Sequence, residues 1–187
     1  SYGYDALNRL TGISYADATQ NIGYQYDTAP AACPAGERSH KGRLAAITDP
    51  SGSTVYCWNR FGQLVRKVQT TAGSSFSVRY AYNPAGQLQQ LIYPDGAVVD
   101  YQYNAQGQVT QVGATPTGGT RYIVATNISY APFGPVTGWT DGNGRVITRN
   151  HNQNYQPIAI HDPAAGGLDL AFQYDAVGNL TTLKNAA

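Results

Sequence analysis

The chain has no methionine and a single glutamate, Glu37, in 187 residues. Without an initiator it is expected to be a piece of a longer polypeptide or a processed product. Charged residues make up 12% of it, about half the usual share of roughly 25%. Twelve basic residues against eleven acidic ones leave a net charge of +1. That balance offers no electrostatic footprint for nucleic acid or an anionic membrane surface. No stretch of about 18 apolar residues occurs, so no membrane-spanning helix is expected. No leader peptide is visible. His40, His151 and His161 lack paired spacing and no C-x-x-C occurs, which argues against zinc. No G-x-S-x-G, phosphate-binding loop or H-E-x-x-H appears. No catalytic constellation, metal set or cofactor is expected. Glu and Lys, the usual fillers of exposed helix positions, are scarce. Tyr, Val, Thr and Gly are plentiful, which favours strands and tight turns.

What the chain does hold is one phrase written repeatedly. "YGYDALNRL" begins at Tyr2, "YQYD" at Tyr24, "YAYNPAGQL" at Tyr80, "YQYNAQGQV" at Tyr101 and "FQYDAVGNL" at Phe172. The second aromatics fall at Tyr4, Tyr26, Trp58, Tyr82, Tyr103, Tyr130 and Tyr174, and His151 fills the remaining gap in a degenerate copy. Most spacings are about 21 to 24 residues, a period typical of repeat architectures. An insertion near residues 31–40 lengthens one interval, and "GATPTGGT" from Gly113 lengthens another. Residues 1–187 thus read as a single repeat region of about eight copies.

Each copy reads as strand, turn, strand. Aromatics at i and i+2 share one face of a strand. The pairs Tyr2/Tyr4, Tyr24/Tyr26, Tyr56/Trp58, Tyr80/Tyr82, Tyr101/Tyr103 and Phe172/Tyr174, with Tyr130, therefore form a ladder. Next comes Asx-x-x-Gly, as in "NRFG" from Asn59, "NPAG" from Asn83, "NAQG" from Asn104 and "DAVG" from Asp175. The Asx side-chain oxygen starts a turn and Gly accepts positive φ. Alternating segments such as "QLVRKV" and "QVTQV" return the chain. One hairpin cannot bury its apolar face alone, but stacked neighbours can. The fold class is therefore all-β, built of stacked antiparallel β-hairpins.

These motifs resemble the RHS-repeat, or YD-repeat, family, whose phrase is roughly aromatic-x-Tyr-Asp-x-x-Gly-Arg-Leu. "YGYDALNRL" departs by Asn8 in the Gly position, "KGRLAAITDPSG" from Lys41 matches the second half, and "YAPFGPVTGWTDGNG" from Tyr130 looks like a recurrent phrase of bacterial members. The resemblance covers essentially the whole chain. It implies a continuous sheet that spirals into a hollow shell or barrel, in a secreted or surface-exposed bacterial protein. Such proteins enclose a toxin or mediate contact between cells. The implied partners are the remainder of a shell. The segment "DPAAGGLDLAFQYD" distantly resembles the self-cleaving end of such shells, with Asp162 and Asp169 as carry-over candidates, but an ordinary repeat turn fits it better.

The acidic slot alternates within this one chain: Asp5, Asp27 and Asp175 in some copies, Asn59, Asn83, Asn104 and Asn152 in others. A catalytic carboxylate or a calcium ligand needs the charge, whereas a turn needs only the shared oxygen. The slot is read as a structural turn. The aromatic ladder has two readings: a sugar-binding face, or the filling of a buried face with Tyr hydroxyls bonding across strands; the second is favoured. Alternation puts Cys57 on the face opposite Tyr56 and Trp58. The insertion carrying Cys33 is placed to fold back over that face, so a Cys33–Cys57 disulfide is expected. The alternative is two small buried hydrophobes. No enzyme is expected. Unpaired outer strands suit identical subunits joined edge to edge, or a fibre, as alternatives to the shell.

Overall fold

The computed structural model describes residues 1–185 and divides into two compact units, Ser1–Ala97 and a second beginning at Val98. The first unit is an antiparallel meander of β1 (Tyr2–Tyr4), β2 (Leu10–Ile13), β3 (Ile22–Tyr26), β4 (Leu44–Asp49), β5 (Gly52–Trp58), β6 (Leu64–Thr71), β7 (Ser74–Tyr82) and β8 (Leu88–Ile92). A 3-10 turn at Ala18–Gln20, capped by Asp17, joins β2 to β3. The second unit repeats the plan with β9 (Val98–Tyr103), β10 (Val109–Thr115), β11 (Tyr122–Tyr130), β12 (Val136–Asp141), β13 (Val146–His151), β14 (Pro157–His161), β15 (Asp169–Tyr174) and β16 (Leu180–Asn185). The protein is all-β, each odd strand forming a hairpin with the even strand that follows.

Every hairpin slips register just before its second aromatic. Ala81 pairs with Gln90 but Tyr82 with Leu88, and Cys57 pairs with Arg66 but Trp58 with Leu64. The same slip occurs at Tyr4, Tyr26, Tyr103, Tyr130, His151 and Tyr174. One extra residue on the returning strand makes a β-bulge, which bends the hairpin beside its turn. Consecutive hairpins then pair only away from the turns. The ladder between β6 and β7 begins at Arg66 opposite Arg79, which leaves Leu64 outside it.

A single-layer sheet buries little. Among the described residues the buried apolar side chains are Cys33, Ala45, Ala46, Cys57 and Ile147. Four of these five lie where the insertion crosses the sheet as a strap. The strap is a second layer over β4 and β5, which explains why the core concentrates there.

Candidate functional site

The turns that close the hairpins share one geometry. In the copy starting at Asn59, Oδ1 accepts from the backbone N–H of Phe61 and of Gln63, both at 3.0 Å, and Gly62 N–H donates to the Asn59 carbonyl. Asn104, Asn152 and Asp175 repeat the arrangement, and Asn83 Oδ1 takes the equivalent Gln87 N–H. Gly62, Gly86, Gly107 and Gly178 all have positive φ. Asn8 and Tyr155, which stand in the Gly position of their copies, also adopt it, at 58° and 61°. Ala131 lacks a capping side chain, yet Gly134 N–H still donates to its carbonyl, with Pro132 presetting the turn.

The residue after the Gly position adds a clamp. Asn59, Asn83, Asn104 and Asn152 each donate through Nδ2 to the Oε1 of a Gln four residues on. Asp5 instead receives Arg9 Nε at 2.7 Å, and Asp175 receives Asn179 Nδ2. The pairing is complementary: Asn, a donor, meets an amide oxygen, and Asp meets a donor. Several clamps also reach the next turn. Gln63 Nε2 donates to the Gly86 carbonyl, Gln156 Nε2 to the Gly178 carbonyl, and Arg9 to Asp27 at 2.6 Å. The hydrogen bond from Arg9, followed by that from Gly42 N–H, holds the Asp27 carboxyl down at about 2. Asp5 is lowered chiefly by the Arg9 backbone N–H, and Asp175 by Asn179. The strap itself is an expanded turn. Asp27 keeps its place, with its N–H on the Arg43 carbonyl and its Oδ1 on Gly42 N–H, while the insertion loops out between them.

The second aromatics tie one hairpin to the preceding one. Trp58 Nε1 donates to the Leu44 carbonyl at 2.8 Å, Tyr82 to Leu64 at 2.8 Å, Tyr130 to Val109 at 2.9 Å and Tyr174 to Pro157 at 2.9 Å. Each acceptor is the residue beside the bulge that the ladder leaves outside, so the aromatic tip completes what the bulge interrupts. Burial raises the Tyr80, Tyr82 and Tyr103 phenols above their usual range. The remaining ladder residues Tyr24, Tyr26, Tyr56, Tyr101 and Phe172 are half-buried. Tyr2 and Tyr4 differ from the expected buried face, at 67% and 60% exposed, because β1 has a neighbouring strand on one side only.

Cys33 and Cys57 are joined by a disulfide. His40 packs against it, its Nε2 2.7 Å from the Tyr56 carbonyl and 3.8 Å from Cys33 Sγ. Glu37 receives Arg66 at 2.7 Å, and a short parallel bridge joins Arg38 to Trp58. Strap, disulfide and ion pair thus fasten one assembly over β5. Asp162 and Asp169 are held apart by different partners, Arg145 and His161. Burial pushes the Asp162 carboxyl up, but the Ala164 N–H and Arg145 outweigh it and leave it lowered. Among the described residues no three His, Cys, Asp or Glu side chains gather to hold a metal. An open groove of about 710 Å³ lies between the β5–β6 and β7–β8 turns, walled by Phe61, Tyr80, Tyr82 and Pro84. Asn59, Gln63 and Asn83, the polar groups at its edge, are already bonded within the turns. The exposed tips Phe61, Phe133 and Val177, and the loss of Tyr for Arg149 in one ladder slot, are features the repeat pattern alone did not single out.

The RHS Repeat family pattern matches residues 58–98 and 82–121. A comparison with curated proteins finds no match. Among solved structures, TcdB2-TccC3 superposes on the whole of this chain with a TM-score of 0.78 at 16% identity, using 11% of its own chain. A TccC3-D651A form of the Photorhabdus luminescens Tc holotoxin pore also covers the whole chain, with a TM-score of 0.73 at 15% identity and again 11% of its own length. The chain therefore spans about a ninth of the chains it resembles. Residues 58–121 therefore carry RHS repeats, and the recurrent aromatic-Asx-Gly hairpins, bulged in the same place and laid side by side, have the fold of these structures.

Proposed function

We propose that this chain is a wall segment of an RHS shell, a structural element of a secreted or surface-exposed bacterial protein that encloses another polypeptide, of the toxin type. The observation that carries the reading is the superposition of all of this chain on a ninth of the TcdB2-TccC3 chain. The internal chemistry supports it. Among the described residues the turn carboxylates and amides, and the hydroxyls of Tyr82, Tyr130 and Tyr174, are bonded to the framework, which supports a mechanical role. A glycan-binding role draws less support, because the amides that would hold sugar hydroxyls already close the turns. Partners on this reading are further repeats of the same kind. Protease protection tests it on the polypeptide that carries these repeats. An enclosed segment should resist digestion until the repeats are cut or unfolded. A segment digested while the repeats remain intact would contradict enclosure.

A further inference from the structure

The aromatic-face slots of the odd-numbered strands hold Tyr, Trp, Phe or Ile, with one exception. On β13 the two slots hold Arg149 and His151. Register surrounds Arg149 with apolar neighbours: it lies opposite Ile160, and Ile147 beside it on the same face lies opposite Trp139. The guanidinium carbon sits 4.6 Å from the Trp139 ring centre. Arg149 Nε and His151 Nδ1 are both buried without a hydrogen-bond partner. In four other copies, at Trp58, Tyr82, Tyr130 and Tyr174, the second slot carries a donor that reaches a carbonyl of the preceding hairpin, a longer reach than an imidazole has. The acids nearby are engaged elsewhere. Asp141 accepts from Trp139 Nε1 at 2.7 Å, Asp162 pairs with Arg145, and Asp169 lies 3.2 Å from His161.

A permanent cation on an apolar face, with its Nε–H unpaired and an unpaired imidazole nitrogen beside it, is complementary to an anion that brings its own acceptors. Stacking on the indole orients the guanidinium plane, whose N–H edge fits a carboxylate with two parallel bonds. A single permanent positive charge balances one carboxylate and leaves a phosphate dianion in excess. Trp139, Ile147 and Ile160 supply apolar flanks for the methylenes of the side chain that bears it. We propose that the Trp139–Arg149–His151 face of β12 and β13 binds an acidic side chain, Glu or Asp, of an extended peptide laid across the strands. Arg149 swings its Nε–Nη edge out to the carboxylate, His151 contributes a further N–H, and Trp139 forms the wall. The inference concerns this face alone and does not require that the repeats close around anything.

The test is an NMR titration of the whole 187-residue chain, reading the indole N–H of Trp139. Three Gly/Ser peptides are compared that differ only at a central Glu, Gln or phosphoserine. The Glu peptide is expected to bind about tenfold tighter than the Gln peptide, the worth of one charge-assisted bond. Arg149→Gln should bring it down to the Gln level. His151→Phe restores an aromatic to the slot and should weaken the Glu peptide while leaving the fold intact. Equal binding of Glu and Gln peptides, tighter binding of phosphoserine, absence of binding, or unaltered affinity in Arg149→Gln would each overturn the proposal. Should Arg149→Gln fail to fold, an unaltered affinity in His151→Phe overturns it instead.

Discussion

Single residues in this protein act mainly by satisfying backbone groups that a bulged hairpin leaves open. Tyr82 donates to the Leu64 carbonyl, which the β6–β7 ladder does not reach. Tyr82→Phe should therefore cost about 1 kcal/mol, the net worth of one such bond, while keeping the ring's packing; urea denaturation measures it. The turn slot behaves differently. Asn83→Asp keeps the oxygen that accepts Gln87 N–H, and Gln87 can turn its amide to donate, as Asn179 does to Asp175. That change should be nearly neutral, while Asn83→Ala should cost about 1 kcal/mol. Unfolding by the Asp variant would contradict the turn account. Asp27 links the turns to pH. Its carboxyl is held at about 2 by Arg9 and Gly42, against about 3.9 in an unfolded chain. The unfolded state binds the extra proton between those values, so stability from this group is complete above about pH 4 and lost as pH falls toward 2. Asp27→Asn should flatten the acid limb of the stability curve over that window, and an unchanged limb would contradict the linkage. The sequence shows the alternation of Asp and Asn but not the clamp. The Gln after Gly62, Gly86 and Gly107 is visible as a letter, yet the two bonds of Gln63, one to its own turn and one to the next, exist only once the turns are stacked.

At the scale of elements, the hairpins were legible because two local signals agree. Period-two aromatics fix which face a strand presents, and Asx-x-x-Gly fixes where it reverses. The bulge was not legible, because the extra residue on the returning strand leaves no special side chain: it is Val65 in one copy and Thr110 in another. The strap shows the same division. Its existence followed from the stretched interval between Tyr26 and Trp58, but its insertion inside a single turn, between Asp27 and Gly42, depends on a hydrogen bond across fifteen residues. Its covalent anchor allows a direct check. Opening the Cys33–Cys57 bond, by reduction or by paired Ala substitution, should lower stability by about 3 kcal/mol for a loop of this size. A count of two free thiols in the unreduced, denatured protein would contradict the bond itself.

At the scale of the molecule, the core is small for the surface that surrounds it. Five buried apolar residues are few for the described part of a chain of 187, and four of them lie in the strap or on the strands beneath it. In each unit the strands pair with their sequence neighbours, and β1 leaves Tyr2 and Tyr4 largely exposed on an outer strand. Such a strand leaves backbone donors and acceptors unpaired along its outer edge. The scale of the whole is where sequence says least, since identical copies can be laid side by side in a shell or a fibre with the same local contacts. Cryo-electron microscopy of the polypeptide that carries these repeats separates the two most directly. A wall segment predicts a hollow particle in which these strands line a cavity and the Tyr80–Tyr82 face looks inward. A solid particle or a filament, or the same face turned outward to solvent, would contradict the account.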